Sequence, residues 1–162
     1  MQEGSALIDV LDTNGKVLGQ KRRDEIDRTH DIVRMILILL FNAKNELFLT
    51  QPTESAWPGQ WASSAAGLVR HGEQPEAAAR RTLVRELGLH TPLQSLGEKY
   101  YNFQGVRRYM TVFYGTTPET PLVCSEDANQ TRWVTLEETE ALLGSFTPTL
   151  QAALALLKNK SL

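Results

Sequence analysis

Between Gly67 and Leu89 the chain reads GLVRHGEQPEAAARRTLVRELGL, which joins a glycine turn, three separated glutamates and an amphipathic helix. Glu73, Arg81, Arg85 and Glu86 are the residues here able to do chemistry. Hydrolysing a diphosphate linkage requires charge on phosphoryl oxygens to be offset and a water to be aimed. Mg²⁺ commonly does the first job, held by one or two carboxylates plus the substrate's own phosphates. Carboxylates at helix positions i, i+3 and i+4 share a face and can converge on one ion. In this chain such a trio falls on Thr82, Arg85 and Glu86. One carboxylate beside one arginine leaves the local charge near zero. The expectation is a Mg²⁺ (or Mn²⁺) ion bound weakly without substrate and recruited to Glu86 by a bound diphosphate. Alternatively, the Arg85 guanidinium contacts phosphate directly, as planar arginine forks do.

These residues need a scaffold. Ala6–Asp12 and Lys16–Lys21 alternate apolar and polar residues around Thr13-Asn14-Gly15, a hairpin signal. Lys21–Thr29 is charged and reads as an exposed connection. Val33–Phe41 and Glu46–Thr50 form a second strand pair, with Met35 to Phe41 as a buried central run. Gln51–Gln60 reads as a loop and Trp61–Val69 as a strand. Pro75 suits a first helical turn and Gly88 a helix stop. Strands follow at Gln94–Phe103, Arg108–Gly115 and Gln130–Val134. Thr135 and Glu138 form a capping box for a helix over Leu136–Leu143, and a closing helix spans Pro148–Lys158. The pattern predicts a mixed sheet with helices on both faces, α/β or α+β.

The cassette resembles the Nudix box, Gx5Ex7REUxEExGU with U an aliphatic residue. Gly67, Glu73, Arg81, Leu83, Glu86, Gly88 and Leu89 fit it; Thr82 and Arg85 replace two of its glutamates. Asp127, Trp133, Val134 and Glu137 resemble the ending common in that superfamily. The resemblance implies an α+β fold built as an α/β/α sandwich, in one domain over residues 1–162 with its box at 67–89. It implies catalytic roles for Glu86, Glu73 and Arg81. In that resemblance Glu86 is the metal ligand, and Glu73 pairs with Arg81 to brace the loop and serves the metal from an outer shell. Glu76 reads as a charge suited to the helix dipole. His71 is an exposed loop residue or, less favoured, a ligand. Glu126 and Asp127 are alternative sources of a general base.

The segments Leu40–Lys44, Ala56–Trp61 and Arg81–Gly88 are similar to isopentenyl diphosphate isomerase and its Nudix neighbours, over roughly residues 6–89. In the isomerase a cysteine and a glutamate act on opposite faces of the allylic system, and histidines hold a second metal. The corresponding positions here are Ala66 for the cysteine and Leu68, Ile26 and Val33 for histidines. The paired glutamates fall near Val106 and Arg108. Isomerase activity is therefore not expected. Cys124 lies too far along to replace the thiol and reads as a packing residue.

Arg85, Trp61 and Arg108 are the candidate substrate contacts. Trp57 and Trp61 either pack internally or stack on a base or apolar tail. Tyr100, Tyr101, Phe103 and Tyr109 could line the same pocket. A formal net charge of -2 gives no broad basic surface, so no nucleic-acid partner is expected. One cysteine suits a reducing cytoplasm, and the start carries neither a basic nor an apolar leader region. No apolar run is long enough to span a bilayer. The expected partner is a small diphosphate substrate or ligand, with a homodimer left open. Hydrolysis of a nucleoside diphosphate-like compound is the leading expectation, and metal-independent binding without turnover the alternative.

Overall fold

The computed structural model describes residues 3–123 and 126–160, so the packing role expected of Cys124 lies outside the described residues. Leu7–Leu11 (β1) and Val17–Arg22 (β2) form an antiparallel hairpin. Asp12 Oδ1 accepts the Asn14 and Lys16 N–H groups, and Gly15 takes φ +82° at the turn. The expected exposed connection after it contains one short helical turn, Arg23–Glu25.

Val33–Phe41 (β3) lies inside a six-stranded mixed sheet with Glu46–Pro52 (β4), Ala65–Leu68 (β5), Gln94–Phe103 (β6), Val106–Thr116 (β7) and Ala128–Thr135 (β8). The strand order is β6-β7-β3-β4-β8, with β5 paired to β3 off this path. β3 runs parallel to β7 and antiparallel to β4 and β5. Alternate residues of β3 feed two cores, as a period of two requires. Ile36, Ile38 and Leu40 meet Ala78, Ala79, Leu83 and Leu87 of the helix Pro75–Leu87 (α1). Leu37 and Leu39 meet Leu150, Ala153 and Leu154 of the helix Pro148–Lys160 (α3). The sheet thus lies between helices, the α+β sandwich expected from the residue pattern. A short helix, Leu136–Leu142 (α2), starts at the Thr135–Glu138 capping box.

β3 and β4 stay paired only at their hairpin end, Phe41 opposite Leu47. Where they part, the Ser64 hydroxyl accepts the Leu40 N–H at 2.9 Å and donates to the Phe48 carbonyl at 2.7 Å. Both backbone groups would otherwise be buried without partners. β5 fills the gap, pairing with β3 from Met35 to Ile38. The strand expected over Trp61–Val69 is therefore shorter. Its first residues cross between strands, and Trp61 and Ala62 make only isolated bridges to Phe146 and Thr50.

Gly67 sits in β5 with its α-carbon against α1. A Cβ added there would lie 2.8 Å from Thr82 Oγ1. Thr82 is fully buried in the Ala78, Ala79, Leu83 row, and its hydroxyl has no hydrogen-bond partner among the described residues. This corrects the reading of Thr82 as part of a metal-facing trio: it turns into the sheet, under Gly67. Gly67→Ala should cost about 1–3 kcal/mol through overpacking. Adding Thr82→Ala should restore most of that, because it removes both the clash and the orphaned hydroxyl. Urea denaturation of the four proteins of the cycle checks this; additive losses would show that Thr82 is not the obstacle.

Candidate active site

Proline at the start and the left-handed Gly88 (φ +67°) at the end define α1, and so set where its last turn points. That turn carries Arg85 and Glu86. The Arg85 guanidinium donates to Glu86 Oε2 at 2.7 Å, with the two side chains 29% and 23% exposed. Both line a cleft of about 940 Å³. Its floor is the sheet face turned away from α1, formed by Ala66 and Leu68 of β5, Met35 of β3, and Val106 and Arg108 of β7. The loop before β8 closes one side with Glu126 and Asp127. Thr53 holds that loop, donating its N–H to the Asp127 carbonyl at 3.1 Å and its hydroxyl to the Glu126 carbonyl at 2.6 Å. These two carboxylates thus reach the cleft from elsewhere in the chain, as the sequence suggested.

Burial pushes the Glu86 carboxyl up to about 7. Arg85 pulls it down, Asp127 pushes it further up, and the Ala66 N–H and Arg23 each lower it somewhat. Neutral pH therefore finds this carboxyl divided between protonated and ionised forms.

The Glu73–Arg81 brace is present. Arg81 Nε and Nη2 donate to the two Glu73 oxygens at 2.9 and 3.0 Å, and Nη2 also donates to the Leu68 carbonyl at 3.1 Å. Glu73 Oε1 further accepts the Arg70 N–H at 3.0 Å. Burial would raise the Glu73 pKa, but these donors outweigh it and hold the group below the usual carboxylate range. The pair ties the turn before α1 to β5. Glu73 lines a second concavity with His71, Glu76 and Arg80, not the cleft that holds Glu86. The structure thus separates Glu73 from Glu86, the other residue expected at the metal. His71 is exposed and meets Asp9 of the hairpin at 2.8 Å.

The aromatic residues divide by strand face. Trp57 lines the cleft and meets Phe103 edge-on, with Tyr101 stacked behind Phe103. Tyr100 and Tyr109 pair on the opposite face, where the Tyr109 hydroxyl donates to the Thr13 carbonyl. Trp61 is not among the residues lining the cleft; it packs against the α3-side core with Arg132 over its ring. Arg23 and Arg28 also line the cleft. Reading Lys21–Thr29 as a plain connection missed them. The only signal was the density of arginines in that segment.

A NUDIX domain model matches residues 31–156. The chain belongs to the Nudix family. An uncharacterized Nudix hydrolase of Pseudomonas aeruginosa is 30% identical over 143 residues, covering 84% of this chain and 85% of that protein. An isopentenyl-diphosphate Delta-isomerase 2 of Photorhabdus laumondii is 26% identical over 146 residues, covering 86% of this chain and 82% of the isomerase. That similarity runs well beyond the 6–89 stretch anticipated. The crystal structure of DR0079 from Deinococcus radiodurans superposes with a TM-score of 0.76 at 24% identity, covering 94% of this chain and 98% of that one.

Five of the six positions aligned with the isomerase machinery, Ile26, Ala66, Leu68, Val106 and Arg108, line this one cleft; Val33 is buried beneath it. In this Nudix domain none of them is a thiol, an imidazole or a carboxylate.

Because the folded-state pKa of Glu86 is raised, its contribution favours folding below about pH 4.5 and is lost as pH rises to about 7. The difference is on the order of 3 kcal/mol. Glu86→Gln should therefore gain stability relative to wild type between pH 5 and 8, with little difference at pH 4. Parallel thermal melts across that range check it, and a pH-independent difference would remove Glu86 as the titrating group.

Proposed function

We propose that this Nudix domain is a metal-assisted hydrolase of a small nucleoside diphosphate-like or related compound. The carrying observation is Glu86, the carboxylate that α1 presents to the cleft, flanked by Arg85 and facing Asp127. Among the described residues no three His, Cys, Asp or Glu side chains gather as a metal cluster. The donor set fits Mg²⁺ or Mn²⁺ only with help from substrate phosphates, which is how Mg²⁺ is often held. When bound, the ion would offset charge on the phosphoryl oxygens. Glu86 would hold it, and Asp127 would be the nearby carboxylate able to orient a water. Arg85 and Arg23 would neutralise the diphosphate directly. In the reaction a water oxygen bonds to phosphorus, the bridging P–O bond breaks, and the water's proton leaves to the surrounding base or solvent.

The Glu73–Arg81 brace supports the site from behind α1. Trp61 enters this reading only through the Trp61–Ala62 crossing that leads to β5; Trp57 is the aromatic residue facing the ligand. The bridges from Leu11 to Ile32 and from Ile8 to Arg70 support reading residues 1–162 as one domain. Isomerase chemistry has no support, because Ala66 offers no proton donor where the thiol would stand.

Phosphate and pyrophosphate release from nucleotides, nucleotide sugars, dinucleotides and isoprenyl diphosphates should identify a substrate with Mg²⁺ or Mn²⁺ present. Glu86→Gln should lower kcat at least about 100-fold, in line with loss of an electrostatic stabiliser. Turnover unaffected by that change would reject Glu86 as the metal anchor.

The Arg85–Glu86 ion pair favours a second reading, a Nudix domain that binds a phosphorylated ligand without turnover. In that case calorimetry in EDTA should detect the ligand, and Arg85→Glu should weaken it about tenfold or more. Equal affinity in both proteins would count against this reading.

A further inference from the structure

Arg108 is 7% exposed, yet its guanidinium lines the cleft. Nη1 donates to the Arg107 carbonyl at 2.8 Å and to the Asp31 carbonyl at 3.4 Å. Among the described residues Nε and Nη2 have no hydrogen-bond partner, and no carboxylate forms an ion pair with the group. The Asp31 carboxylate is committed to Lys21 Nζ at 2.9 and 3.0 Å. Burial lowers the Arg108 pKa to about 10, and the neighbouring Arg28 charge lowers it further against a favourable Asp31. A buried cation without an anion is costly, and such charges are normally paired.

The position of this cation is informative. Arg108 sits beside Val33 of β3, and its Nη1 reaches back toward Asp31. Ala66, whose N–H meets Glu86, sits beside Leu37. Four residues of strand separate those levels, roughly 13 Å at about 3.3 Å per residue. The floor between them is apolar, with Met35 and Leu68, and Trp57 stands in the wall. The cleft therefore has a carboxylate end and a separate cationic end.

We propose that Arg108, assisted by Arg28, seats a second anionic group of the ligand, a phosphate or a carboxylate, without a metal ion. This deepens the hydrolase reading by naming a substrate class: a diphosphate compound whose far end carries another negative charge. Arg28 is exposed and lines the same cleft, so it meets the ligand from the solvent side.

The test is thermal-shift and calorimetric titration in EDTA at constant ionic strength. The probes are inorganic phosphate, malonate, and ADP compared with its 3′-phosphorylated derivative. At least one of phosphate and malonate should stabilise the wild type, and which one does so distinguishes the two oxyanions. The extra 3′-phosphate should tighten binding. Arg108→Met should weaken this anion-dependent binding about 30-fold or more, Arg108→Lys should retain part of it, and Arg28→Gln should reduce it. Glu86→Gln should leave it intact, so failure of the hydrolase reading and failure of this one are separable. No stabilisation of the wild type by either anion, or equal stabilisation of Arg108→Met, would overturn the proposal. Should Arg108→Met not fold, unchanged anion binding by Arg28→Gln would overturn it equally.

Discussion

The separation of β3 from β4 is the constraint on which the site depends. Two strands that part inside a core leave backbone donors and acceptors facing each other across a gap too wide to bond. Here the Ser64 hydroxyl spans that gap, and Thr50 adds a bond to the Ser63 carbonyl at 2.8 Å. The crossing segment can then return to β3 as the four-residue β5, whose edge meets the last turn of α1. Several of the groups around the cleft are placed relative to that short strand. Ala66 and Glu86 line the cleft together, Leu68 receives Arg81, and Gly67 lets the helix approach β5 closely.

Electrostatics in the cleft follow from what α1 does not carry. A helix end with several carboxylates repels itself and attracts a divalent cation. This one has Glu86 already satisfied in part by Arg85, in a site dry enough to raise the carboxyl to about 7. A metal ion held there would compete with a proton as well as with the arginine. Substrate phosphates shift that balance, because they bring donor oxygens and negative charge together.

Much of this was legible in the sequence because local signals agree with the global fold. Val33–Phe41 and Gln94–Phe103 have the same limits as strands in both readings. The Pro75 and Gly88 signals and the Thr135–Glu138 box are decided within a few residues. The Glu73–Arg81 brace was legible through the resemblance to the Nudix box, whose equivalents form such a pair. Thr82 was misread because helical spacing alone gives two neighbouring faces, and only the approach of Gly67 shows which one is inward. Arg23 and Arg28 were missed for a different reason. They reach the cleft through the hairpin's connection to β3, and no periodicity marks an arginine in an irregular segment as facing inward. Trp57 and Trp61 are four residues apart in one loop. Which of them meets the cleft depends on the crossing between β4 and β5, which is a tertiary property.

The isomerase-like positions carry the last step of the argument. Ile26, Ala66, Leu68, Val106 and Arg108 are spread over three segments of the chain, yet they line one cleft. The positions that the isomerase resemblance assigns to acid, base and metal ligands thus share one cleft, while none of them carries such a group. Four of those positions are apolar, which lowers the local dielectric and offers no metal donor. The fifth is a buried guanidinium, where a carboxylate would favour a cation. That end of the cleft therefore favours an anion. Fold similarity therefore speaks to how this cleft is built, and the reversal of charge at Arg108 to what it can hold.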